Sequence, residues 1–199
     1  MKTRNTGSSL ASQLALLCLV FQEGSHRKVI NSLIGPYIAY GERFYMCEPN
    51  GSLLPWTWYL RGSHFNPYKP KVLQLMTGNV TGVVPFDDRG WTKIVVDLRS
   101  NNQWKENAFV FNFNKRGPCS VCKEHVPSAF KQFLLKGEDE GACPRPPGVY
   151  EVNDTAVGWT FPSVPIIPYG TYRFRVTFGI AENLHGCWVA DAKTVPKTN

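Results

Sequence analysis

The chain has 199 residues, 43% of them apolar and 19% charged, with six cysteines and a formal net charge of +7. That length buries a proper core, and the composition is that of a globular protein, which excludes a miniature dependent on staples to fold. Seventeen glycines and fifteen prolines favour turns over long helices, and the basic residues are spread along the chain without a nucleic-acid motif.

Lys2 and Arg4 precede the apolar run 14–21, which small residues follow at Gly24 and Ser25. That order of basic, apolar and small is a secretory signal peptide, so residues 1–24 are expected to be removed and 25–199 to form a single domain. The run is too short to span a bilayer, and no later segment reaches that length. A secreted, extracellular protein is therefore expected. The sequons at Asn50, Asn79 and Asn153 agree with export and predict glycosylated surface turns. Processing removes Lys2, Arg4 and Glu23, leaving 20 basic against 14 acidic residues and a charge of +6.

Residues 26–41 have no clear period and read as a leading arm, followed by a short first strand over 43–47. Trp56, Trp58 and Leu60 alternate with Thr57, Tyr59 and Arg61, the period of a strand with one apolar face. A further strand is expected after Pro70, through Val72, Leu73, Leu75 and Met76. Ile94, Val96 and Leu98, then Phe109, Phe111 and Phe113, flank a polar turn at 100–103 and read as a hairpin. Over 119–136 the apolar spacing changes to three and four, which predicts a helix that Pro127 either bends or begins.

The segment from Val164 to Tyr169 is apolar, but Pro165 and Pro168 keep it out of a central ladder. It folds back onto the core, or it rims a pocket or touches a membrane. Tyr172, Phe174, Val176 and Phe178 then alternate with Arg173, Arg175 and Thr177, the clearest strand in the chain. Gly148 to Val152 and Trp188 to Lys193 complete the set. Many short strands, regular turns and one helix predict an all-β fold: an immunoglobulin-like β-sandwich or β-cup with one short helix.

With Cys18 in the signal, Cys47, Cys119, Cys122, Cys143 and Cys187 remain, an odd number that leaves one thiol over. Cys119 and Cys122 form a Cys-x-x-Cys pair. A structural zinc site wants four ligands, and His125 supplies a third at most, so no metal or other cofactor is expected. The residues alone leave open whether Cys119 or Cys122 pairs with Cys143.

The ordered set Cys143-Pro144, Gly148, Tyr150, the proline-rich apolar loop, Gly170-x-Tyr172-Arg173 and Gly186-Cys187 resembles the lipid-recognition (ML) family, among them the ganglioside activator protein and secreted insect proteins. About a third of the chain matches in register. The resemblance implies a sandwich opened into a cup that holds lipid chains between its sheets. It also implies disulfides Cys47 to Cys187 and Cys119 to Cys143, with Cys122 a buried reduced thiol, and an apolar loop at Ile166, Ile167 and Tyr169 that dips into a bilayer.

Large aromatics at facing strand positions suit an interior propped open, and the expected lipid-binding residues are Trp58, Phe109, Phe111, Phe113, Ile166, Ile167, Tyr169, Phe174 and Trp188. The slot between the sheets is expected to open on the Ile166 side. Arg173, Arg175 and Lys71 either meet lipid head groups or form the wet faces of their strands. No Gly-x-Ser-x-Gly or His-Glu-x-x-His motif is present, and His26, His64, His125 and His185 have no acid at a telling spacing. The reading is a secreted, monomeric, non-enzymatic carrier or extractor of acyl chains or glycolipids, touching membranes peripherally and not nucleic acid. Its alternative is an extracellular interaction protein, a co-receptor or immune adaptor, without a working lipid site.

Overall fold

A computed structural model describes residues 33–47, 54–135 and 143–197. The chain divides into units Met1–Ser32 and Leu33–Asn199, and the second is the subject below. The expected signal peptide at 1–24, the sequon at Asn50 and the expected acidic loop at 138–141 lie outside the described residues.

Among the described residues ten strands and two short helices follow one another: β1 Ile34–Gly35, β2 Tyr37–Met46, β3 Trp56–Gly62, β4 Gln74–Gly82, β5 Trp91–Ser100, β6 Gln103–Phe113, α1 Pro118–His125, α2 Pro127–Leu134, β7 Gly148–Val157, β8 Ile167–Pro168, β9 Gly170–Ile180 and β10 Asn183–Pro196. The protein is an all-β sandwich. One layer is the five strands β6-β5-β9-β10-β2, and the other is β3-β4-β7.

The strand at 43–47 is longer than its alternation suggested, because β2 begins at Tyr37, directly after Pro36. The strand expected after Pro70 begins only at Gln74, and Val72 and Leu73 are exposed. The β5–β6 hairpin turns through Asn101 and Asn102, whose φ of 51° and 60° match the mirror-image turn that follows strand twist. Asn tolerates that conformation better than most residues.

Two helices replace the one read from the spacing. Pro127 lacks the N–H that would continue α1, so the ladder breaks at Val126, whose φ of −135° and ψ of 59° are not helical. Pro127 then opens α2, where a missing N–H costs nothing. α2 buries Ala129, Phe130, Phe133 and Leu134 in the core.

Disulfides join Cys47 to Cys187 and Cys119 to Cys143, with Cα separations of 5.4 Å and 6.0 Å. Cys122 is the free cysteine among the described residues.

Where the two layers part is decided on one edge of β10. β2 pairs antiparallel with that edge from Pro196 back to Trp188, which faces Met46. Two residues further on, the same edge bonds β3 instead, through a single parallel bridge between Gly186 and Trp56. From there β3 leaves to pair with β4 in the opposite layer. β2 and β3 thus diverge from one point as the sides of a wedge, and the Cys47 to Cys187 disulfide stands at its apex.

Candidate functional site

The wedge is pinned at both ends. Near the apex, the Trp58 amide donates to Met46 Sδ at 3.4 Å, and the Trp58 indole Nε1 donates to the Tyr45 carbonyl at 3.0 Å. At the far end the Gln74 side chain imitates a neighbouring strand. The Gly41 N–H donates to its Oε1 at 3.0 Å, and its Nε2 donates to the Gly41 carbonyl at 2.7 Å and the Ser63 carbonyl at 2.8 Å. Trp159 Nε1 donates to the same Oε1 at 2.8 Å. Gln74 is 8% exposed, so these bonds form away from water, where a missing partner would be costly. Sequence periodicity did not single it out, since a glutamine before an apolar run reads as a strand's wet start.

Between the pins lies a cavity of about 610 Å³, open to the surface. Phe44, Tyr45 and Met46 line it from β2, and Thr57 to Arg61 line it from β3. Leu54, Gly78 and Asn79 complete the wall. Phe44 and Met46 belong to the inner face of the five-stranded layer, because they share cross-strand rows with Ala190 and Phe174 and with Trp188 and Val176. Trp58 and Leu60 are the inner face of β3 and are buried. Phe44 packs edge-on against Trp58 at 5.8 Å, so these side chains form the floor of a cleft that opens at the surface.

Among the nine residues expected to touch lipid, Trp58 lines this cavity. Trp188 stands behind it, stacked on Trp58 at 5.1 Å with the rings 14° apart. Both are more than nine-tenths buried, and Trp188 packs in the core with Phe86 and Phe178. Phe109 and Phe111 do lie on the inner face, paired with Val96 and Ile94, but on the uncovered edge strand β6, where they are 44% and 46% exposed. Phe113 meets the His125 ring at 5.2 Å.

The slot does not open on the Ile166 side. Phe174 stacks on Phe161 at 5.7 Å, and Phe161 on Tyr37 at 6.4 Å, so that end is occupied by the protein's own rings. The loop above them folds back onto the N-terminal strand. Ile167 pairs with Gly35, Tyr37 Oη donates to the Val164 carbonyl at 2.8 Å, and Tyr169 Oη donates to the Pro36 carbonyl at 3.1 Å. Ile166 remains exposed.

Arg173 and Arg175 are on the outer face, in a cross-strand row and its neighbour. The row reads Asp97, Arg173, Asp191, Arg43 across four strands, with charges alternating. Arg173 Nε donates to Asp191 Oδ1 at 2.8 Å and its guanidinium lies 4.3 Å from the Trp104 ring centroid. That hydrogen bond holds the Arg173 pKa above its ordinary value. Arg175 reaches Asp97 at 3.5 Å. Lys71 is exposed.

Burial pushes the Cys122 thiol up to about 12, which leaves it protonated and a poor nucleophile at neutral pH. Asn79 sits at the cavity mouth beside exposed Tyr59, its cross-strand partner, and Asn153 is exposed on β7.

Compared with known proteins, the chain matches no family model and no curated sequence.

Proposed function

We propose that this is a secreted, non-enzymatic lipid-binding protein of the lipid-recognition (ML) type that holds an acyl chain in the wedge between β2 and β3. One observation carries the reading: a surface-open cavity of about 610 Å³ whose lining includes Phe44, Tyr45, Met46, Leu54, Trp58 and Leu60 together with the polar Thr57, Arg61 and Asn79. Its size falls within the roughly 300 to 1,000 Å³ of small-molecule sites, and its lining is mainly apolar. A chain entering it gains about 0.8 kcal/mol per buried methylene, less the cost of immobilisation. Two disulfides fit an oxidising compartment, and no helix among the described residues is long and apolar enough to cross a membrane.

The test is quenching of tryptophan emission by a brominated fatty acid. Saturable quenching that falls sharply in Trp58→Phe supports the site; no quenching, or quenching unaltered by the substitution, counts against it. The interaction-protein reading draws on a different feature, the exposed Phe109, Val110 and Phe111 of edge strand β6. Such an edge is a surface for another chain.

A further inference from the structure

The one charged side chain among the described residues lining the wedge is an arginine. Arg61, at the end of the Trp58 to Arg61 run, lines the cavity and is exposed. Across from it on β2, Tyr45 lines the same cavity, and the exposed Arg43 holds its guanidinium 5.3 Å from the Tyr45 ring centroid. Among the described residues no carboxylate lies within ion-pair distance of either arginine.

The acids nearest in register are committed elsewhere or displaced. Asp191, the cross-strand partner of Arg43, is bound to Arg173 and accepts from Tyr45 Oη at 3.3 Å. Glu42 pairs with Lys193 at 2.7 Å. Thr77, opposite Arg61, donates to Asp154 at 2.9 Å, which places that carboxylate on β7, one strand beyond. Glu151 pairs with Asn79 from that same strand.

An apolar slot with Arg61 unpaired in its lining, and Arg43 unpaired beside the lining Tyr45, matches one kind of molecule. We infer that the wedge selects an anionic amphiphile, its chain against Phe44, Met46, Trp58 and Leu60 and its carboxylate or phosphate held by Arg61 and Arg43. This rests on the acyl-chain reading above and adds the charge of the ligand. Guanidinium suits both anions because its planar fork donates two parallel hydrogen bonds. The apolar walls supply affinity without regard to head group, and the arginines supply preference.

The experiment compares cis-parinaric acid with its methyl ester, which share a chain and differ in charge, by fluorescence titration at low salt. The intact protein is expected to bind the acid about tenfold more tightly than the ester, the scale of one charge-assisted contact. Arg61→Gln is expected to weaken the acid by about that factor and leave the ester within about twofold, with Arg43→Gln acting in the same sense. Both positions are exposed, so neither change should unfold the protein, and equal ester binding confirms that the site is intact. Competition by palmitate and by lysophosphatidate then separates the two anions: the stronger competitor names the head group, and its advantage should vanish in Arg61→Gln.

Equal affinity for acid and ester, or equal losses for both in Arg61→Gln, overturns the head-group assignment while the acyl site stands. Failure of both probes to bind the intact protein overturns the site itself.

Discussion

At the scale of single residues, the wedge depends on Gln74 more than on any apolar side chain. Its amide bonds both backbone groups of Gly41 and thereby closes an edge that β10 cannot reach from its side. Gln74→Ala should therefore destabilise the fold by about 2 to 4 kcal/mol, since several buried polar groups lose partners at once. Urea unfolding measures this as a lower midpoint at unchanged slope. Cys122 gives a second prediction. A buried acid with a raised pKa keeps its proton in the folded state after the unfolded chain has lost it. Stability is thus unaffected below pH 9 and falls between about 9 and 12. Burial raises Tyr37, Tyr40, Tyr45 and Tyr172 in the same direction. Cys122→Ala should flatten the alkaline limb by up to about 1.4 kcal/mol per pH unit, leaving the tyrosine contribution. A thiol reagent should find no reactive group in the native protein and one after denaturation.

At the scale of elements, what was legible in the chain was whatever local periodicity controls. The alternation around Phe174 gave β9, the polar turn between two apolar runs gave the β5–β6 hairpin, and Pro127 marked a helix boundary. Periodicity also assigned Phe109 and Phe111 correctly to the inner face. It could not say that the opposing layer has three strands against five and leaves that face bare at β6. Nor could it locate the cavity, which arises because β2 and β3 compete for one edge of β10, a non-local event with no signature in spacing. Of the two readings of the Val164 to Tyr169 loop, folding back is the one observed, through the Ile167–Gly35 pairing and the Tyr37 and Tyr169 hydroxyls, which its apolar composition alone could not choose. The bare β6 edge carries its own prediction. Val110→Lys on this strand, 45% exposed, should reduce aggregation on heating with little change in Tm, measured by light scattering beside calorimetry.

At the scale of the whole molecule, the Cys47 to Cys187 bond ties residues 140 apart and sits where the two layers part. In the chain-entropy account a loop of that length contributes about 5 kcal/mol, against about 3 for Cys119 to Cys143. Removing the longer bond should therefore lower stability more, and it should also loosen the apex of the wedge. On the outer face of the larger layer Arg173 is paired with Asp191 and Arg175 with Asp97, and β2 keeps its place on β10 through nine backbone pairs from Met46 to Tyr37. A five-stranded layer, a smaller layer pinned to it at Trp58 and Gln74, and an apolar gap between the pins make a container open at a lip bearing Arg61.

The most direct trial is a crystal structure of the intact protein grown with palmitate. Continuous density for one alkyl chain between β2 and β3, touching Phe44, Met46, Trp58 and Leu60 with its carboxylate toward Arg61, is the expected result. A gap closed by repacking of those side chains, or a chain bound on the β6 face instead, would contradict it.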